Sequence, residues 1–149
     1  TLHTNDAPTT LTRLRNMGVA PFNIASSVIL ITAQRLARRL CVKCKAPTDI
    51  PRNALLEAGF TEDQLDGSWQ AYKAVGCEAC NNGYKGRVGI YQVMPISEEI
   101  QRIILMDGSA TDIAKQSELE GVRNLRQSGL QKVIQGLTSL EEVLGVTNE

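Results

Sequence analysis

Cys41-Val42-Lys43-Cys44 and Cys77-Glu78-Ala79-Cys80 hold every cysteine of this 149-residue chain, with thirty-two residues between the two pairs. A C-x-x-C turn presents two thiolates on one side of a tight knuckle. Two such knuckles supply the four sulfurs of a tetrahedral zinc site. Gly83 and Gly86 follow the second pair and give the backbone freedom to turn sharply around an ion. Lys43, Lys45, Lys85 and Arg87 flank the pairs and can offset the negative charge of a zinc held by four thiolates. Two disulfides, or buried thiols that bind nothing, are the competing readings, and the paired knuckles favour zinc over both. Four sulfur ligands leave no open coordination position, so such a zinc is structural rather than catalytic.

The rest of the composition is unassertive. Hydrophobic residues make up 42% of the chain and aromatics only 4%, so the core must be aliphatic. Lys plus Arg number 16 and Asp plus Glu number 16, a balance that argues against a dedicated nucleic-acid binder. The longest apolar run, Ile24 to Ile31 with Ala33 close behind, is far short of a membrane span. Thiols spaced for zinc fit a reducing compartment, and the chain reads as cytosolic. It opens at Thr1 without an initiator methionine and reads as part of something longer.

Upstream of the first knuckle, Asp6 caps an expected helix with Pro8 in its first turn, Leu11, Leu14 and Met17 on one face, and Gly18 as its stop. Pro21 opens a second, longer helix expected to reach Leu40. Its two apolar rows are Ile24, Val28, Ile31 and Ile29, Ala33, Leu36, Leu40. On that helix Arg35, Arg38 and Arg39 share one basic face. On spacing alone, a solvated face that complements the helix dipole explains it better than a binding role does.

Between the knuckles a short helix from Pro51 to Ala58 ends at Gly59, and Thr61 to Gln64 has the capping-box pattern, with Gly67 as its stop. Trp69 and Tyr72 are expected to supply a small core there. Gly86 to Met94 reads as a strand closed by Pro95. Four helices follow. They are capped by Ser97, by Ser109 or Thr111, from about Arg123, and by Ser139 with Glu142, and their apolar residues, Leu119 included, are expected in the core. The fold class is therefore α+β, mostly α-helical.

Catalytic equipment is missing. His3 is the only histidine, no G-x-x-x-x-G-K-[ST] occurs, and no apolar strand ends in paired acids that could hold magnesium.

Three stretches together resemble one family. Thr1-Leu2-His3-Thr4-Asn5-Asp6-Ala7-Pro8 is similar to the histidine box of the secretion ATPases, the hexameric motors of type II secretion and type IV pilus assembly. Ile24-Ala25-Ser26-Ser27 and Ala33-Gln34-Arg35-Leu36-Ala37-Arg38-Arg39-Leu40-Cys41 resemble the lead into that family's tetracysteine motif, and Cys77 to Tyr91 its second half. Leu125 to Leu130 and Thr138 to Val143 look like its C-terminal helices. The likeness departs at Val42, where the family commonly has proline, and at Gln92, where an acid is usual.

The resemblance implies the C-terminal part of an ATPase whose P-loop and acidic boxes lie upstream of Thr1. It divides the chain into the end of a P-loop ATPase core (1–40), a tetracysteine zinc lobe with a short strand (41–95) and a C-terminal helical bundle (96–149). Cys41, Cys44, Cys77 and Cys80 would hold structural zinc, and His3 would face nucleotide in the intact motor, where ATP and Mg are the cofactors. The implied partners are the other subunits of a homo-hexamer and an inner-membrane platform protein. The implied place is the cytoplasmic side of that membrane, with no direct insertion and no nucleic acid. The intact protein would hydrolyse ATP to extract and polymerise pilins, and this stretch alone would be inactive. A type II secretion motor is the alternative within the family. Outside it stand a zinc-ribbon nucleic-acid module using Arg35, Arg38, Arg39, Lys43 and Lys45, or a purely structural interaction domain.

Overall fold

The protein is described here from a computed structural model covering residues 2–148. It mixes seven α-helices with two small sheets among these residues. In chain order the elements are α1 (Ala7–Asn16), α2 (Pro21–Ser27), β1 (Leu30–Leu40), β2 (Ala46–Pro47), α3 (Arg52–Ala58), β3 (Tyr72–Lys73) and β4 (Tyr84–Pro95). Then follow α4 (Glu98–Leu105), α5 (Ala110–Leu119), α6 (Leu125–Ile134) and α7 (Leu140–Val146). β1 pairs with β4 and β2 with β3. The chain forms two compact units, Thr1–Gln34 with Tyr91–Asn124, and Arg35–Ile90 with Leu125–Glu149. Residues of both long strands are divided between the units.

In the first unit α1 forms as its sequence requires. The Asp6 carboxylate accepts from the Thr9 amide at 2.9 Å, and Pro8 lies in the first turn, where its missing N–H costs nothing. Gln92, buried on β4, reaches the same helix start: its Oε1 accepts from the Ala7 amide at 2.9 Å. Leu11, Ile24, Ile31, Met94, Ile100, Ile104 and Ile113 form the aliphatic core. Arg15 closes the far end of α1, pairing with Asp107 and donating to the Gly108 carbonyl at 2.8 Å.

The second apolar segment is not one helix. α2 stops at Ser27, and residues 30–40 are extended. Alternation explains the burial: Ile31 and Ala37 are buried and Ala33 and Arg35 half-buried, whereas Leu30, Gln34 and Leu36 face water. The helix-forming residues of this stretch are overruled by the ladder with β4, a pairing that no local propensity can anticipate. The supposed basic face dissolves with the helix. β4 itself is a twelve-residue strand, longer than the short strand expected, and Ile90, Gln92 and Met94 point inward in strict alternation.

The second unit is closed at a corner where the end of β1 meets the turn between α6 and α7. The Leu40 amide donates to the Leu137 carbonyl at 2.9 Å, and Thr138 Oγ1 donates to the Arg38 carbonyl at 2.8 Å. The Arg38 amide and Nε both donate to the Glu142 carboxylate, at 2.9 and 2.8 Å. Its guanidinium lies 4.3 Å from the centre of the Tyr84 ring, and Tyr84 Oη shares a 2.9 Å hydrogen bond with Ser139 Oγ. Ser139 caps α7 by accepting from the Glu142 amide at 3.2 Å. The Glu142 side chain, however, is committed to Arg38, so only half of the expected capping box is made. Behind this corner Gly129 lets α6 approach α7: a Cβ there would stand 2.6 Å from Val143 Cγ1.

Burial pushes the Glu142 carboxyl upward, but the Arg38 hydrogen bonds and charge outweigh it and hold the group below its usual value. A carboxyl lowered in the folded state stabilises the fold above its unfolded value of about 4.3, and that stabilisation fades as pH falls through the folded value. Glu142→Gln is therefore expected to cost about 1 kcal/mol at pH 7. In urea titrations the gap from the unmodified chain should close below about pH 4. A gap independent of pH would remove the ion pair from this explanation.

Candidate metal centre

Local turns bring the cysteines together in the second unit. Cys41 follows directly on β1, and its amide donates to the Gly83 carbonyl at 2.9 Å, tying one knuckle to the other. Cys44 lies at the end of the first turn, where the Lys45 amide closes back on the Cys41 carbonyl at 3.0 Å. In the second knuckle the Cys77 amide donates to Cys80 Sγ at 3.3 Å, and Asn82 and Gly83 then reverse the chain at φ 53° and 97°. Gly83 has no substitute there. Beyond its positive φ, a Cβ would fall 2.5 Å from Ala74 Cβ and 2.8 Å from the Val75 nitrogen.

All four cysteines are free, and their Sγ atoms lie within 4.8 Å of one another. Cys41 to Cys77 is 3.8 Å, Cys44 to Cys80 3.7 Å and Cys77 to Cys80 3.6 Å. A regular tetrahedron with zinc–sulfur bonds of about 2.3 Å has edges of about 3.8 Å, so these spacings suit a zinc ion. Electrostatics points the same way. The Lys43 backbone amide leads in lowering the Cys41 thiol to about 7. At Cys44 the Gly76 amide pulls downward, but burial and the neighbouring thiols prevail and raise it to about 11. Cys77 is likewise raised, the neighbouring Cys80 and burial overcoming the Ala79 amide. Cys41 thus ionises readily, whereas Cys44 and Cys77 resist. The quartet fits a dication, which would hold all four as thiolates.

The other candidate residues do not join the sulfurs. His3 is exposed in the stretch before α1 and makes no hydrogen bond or ion pair among the described residues. Lys45 turns away from the sulfurs: its Nζ donates to the Gly136 carbonyl at 2.9 Å and sits 4.5 Å from the centre of the Tyr72 ring. Arg38 is occupied by Glu142 and Tyr84, while Arg39 and Lys43 line a cavity beside the first knuckle. Trp69 does join a small core in the insert, stacked on Phe60 with ring centres 5.1 Å apart. The Arg38–Glu142 pair was invisible to sequence reasoning because its members are 104 positions apart. The turn at Gly83, by contrast, is signalled by the glycine itself.

The family model described as "Type II/IV secretion system protein" matches residues 1–145. The chain belongs to that family. Over its whole length it is 60% identical to the "Type IV pilus assembly ATPase PilB" of Acinetobacter baylyi, covering 26% of that relative. It is 56% identical to the protein of the same name in Pseudomonas aeruginosa, again covering all of this chain and 26% of the relative. To the "Type II secretion system protein HxcR" of Pseudomonas aeruginosa it is 40% identical, covering all of this chain and 28% of the relative. The chain thus spans about a quarter of the length of these relatives.

Protein purified without added metal is expected to carry one zinc per chain, measured by elemental analysis. Because four thiols must lose protons, affinity should fall steeply as pH is lowered from 8 to 6. No metal together with four titratable thiols would contradict this. Gly83→Ala should cost about 2 kcal/mol or more and weaken zinc retention, since backbone as well as side chain must shift. An unfolding midpoint and zinc content unchanged from the parent would contradict that.

Proposed function

We propose that these residues are the C-terminal part of a hexameric ATPase that powers type IV pilus assembly, extracting pilins and polymerising them through an inner-membrane platform protein. What carries this reading is the identity of 60% and 56% over the whole chain to two pilus assembly ATPases. The lower value of 40% to HxcR keeps type II secretion as the second reading. In this proposal residues 1–40 end the ATPase core, 41–95 form the zinc lobe and 96–149 the C-terminal helical part. Cys41, Cys44, Cys77 and Cys80 hold a zinc whose coordination shell is full, so its work is to fix the two knuckles and not to activate a ligand. His3 faces nucleotide in the assembled motor, where ATP and Mg are bound by other parts of the protein.

No helix among the described residues is long and apolar enough to cross a membrane. We place the motor in the cytoplasm, meeting the membrane through its partner. The helical basic face is not formed: Arg38 is held by Glu142, while Arg39 lines a cavity with Lys43 and Lys85.

Phosphoryl transfer needs phosphate-cradling amides, a lysine and magnesium ligands. The intact protein should therefore hydrolyse ATP as a hexamer, and the 149-residue chain should show no turnover. Turnover by this chain that survives purification and disappears in His3→Ala would overturn the assignment. Labelled DNA and RNA should bind no more tightly than about 10⁻⁴ M at physiological salt. Sub-micromolar, salt-sensitive binding would point to a different class of protein.

A further inference from the structure

Beside the cysteine cluster, with Cys41 in its wall, lies a cavity of about 310 Å³. Arg39 at the end of β1, Lys43 in the first knuckle and Lys85 near the start of β4 bring three cations to it from separate stretches of backbone. Leu40, Val42 and Ala79 supply an apolar lining, and Val42 is 71% exposed. None of the lining residues is acidic. None of the three cations has an ion pair or a side-chain hydrogen bond among the described residues. Unpaired cations around an apolar surface complement a segment in which carboxylates flank an aliphatic side chain.

The chain itself carries such a segment. Glu118-Leu119-Glu120 ends α5 in the first unit, and Leu119, expected in the core, is instead 83% exposed. Glu118 and Glu120 are exposed and make no ion pair or side-chain hydrogen bond among the described residues. An exposed leucine bracketed by two free carboxylates complements the cavity in charge and in apolar character.

We propose that Glu118-Leu119-Glu120 of one copy docks into the Arg39–Lys43–Lys85 cavity of a second copy. Leu119 covers Val42 and Leu40, and the carboxylates turn to the cations. Donor and acceptor surfaces differ, so the contact is heterologous, the kind that closes into a ring or grows into a filament. The proposal deepens the hexameric reading above and rests on it. The plain alternative is that the cations serve only to neutralise the cysteine cluster.

Sedimentation equilibrium of the intact, zinc-loaded protein separates the two. The pair of changes Lys43→Glu with Lys85→Glu, and the pair Glu118→Lys with Glu120→Lys, should each weaken self-association about tenfold. All four together should restore it to within about twofold, because opposite charges again meet. Leu119→Ser, remote in sequence from the cysteines, should weaken association about tenfold with zinc content unchanged. Association unaffected by either reversal or by Leu119→Ser, or reversals that do not rescue each other, would overturn the proposal. Zinc lost from the lysine variants while Leu119→Ser associates normally would assign the cations to the cluster and likewise end it. ATP hydrolysis by the unmodified intact protein, read on the same preparation, keeps failure of this contact distinct from failure of the motor assignment.

Discussion

Four sulfur atoms within 4.8 Å of one another set the terms for the second unit. Held as thiols they are an ordinary polar cluster. Held as thiolates they repel strongly, and only a cation between them relieves it. The opposed shifts at Cys41, down to about 7, and at Cys44, up to about 11, express that conflict. Much of the surrounding backbone is spent on creating it: the Gly83 carbonyl takes the Cys41 amide, and the Cys77 amide points at Cys80 Sγ. A quartet brought together at this cost in conformational freedom is best understood as half of a metal site.

The knuckles tie on to other parts of the same unit through β1. Directly before Cys41, the strand is held to the α6–α7 turn by Leu40 and Leu137, by Thr138, and by Arg38 with Glu142 and Tyr84. Apart from the Arg38–Tyr84 contact, these bonds reach across about a hundred residues of chain. The cysteine knuckles and the last two helices, which read as separate segments in the sequence, share one compact unit. Arg38 is consequently a poor reporter of surface binding, because removing it also opens this corner.

Features decided within a few residues were legible in advance. Asp6, Pro8 and Gly18 bound α1 as their chemistry demands, Ser97, Ser109 and Ser139 cap helices, and the C-x-x-C pairs announced the cluster. Features decided at long range were not. Residues 30–40 carry a helical apolar pattern, and it is pairing with β4, some fifty positions downstream, that makes them a strand. Glu142 sits where a capping box wants it, yet Arg38 offers its carboxylate a stronger, charged partner. Leu119 stands six residues after Ile113, about 120° around α5 from the face that Ile113 and Ser117 bury, so helical geometry itself turns it to water.

If the cysteine quartet is the staple of the second unit, removing its metal should be felt there first. Hydrogen exchange followed by mass spectrometry, on zinc-loaded protein and after chelation, reads this segment by segment. The account predicts a large loss of protection across residues 38–48 and 76–87, a smaller loss in α6 and α7, and none in α4 and α5, which belong to the other unit. Equal loss throughout the chain, or protection around the knuckles unchanged by chelation, would contradict it.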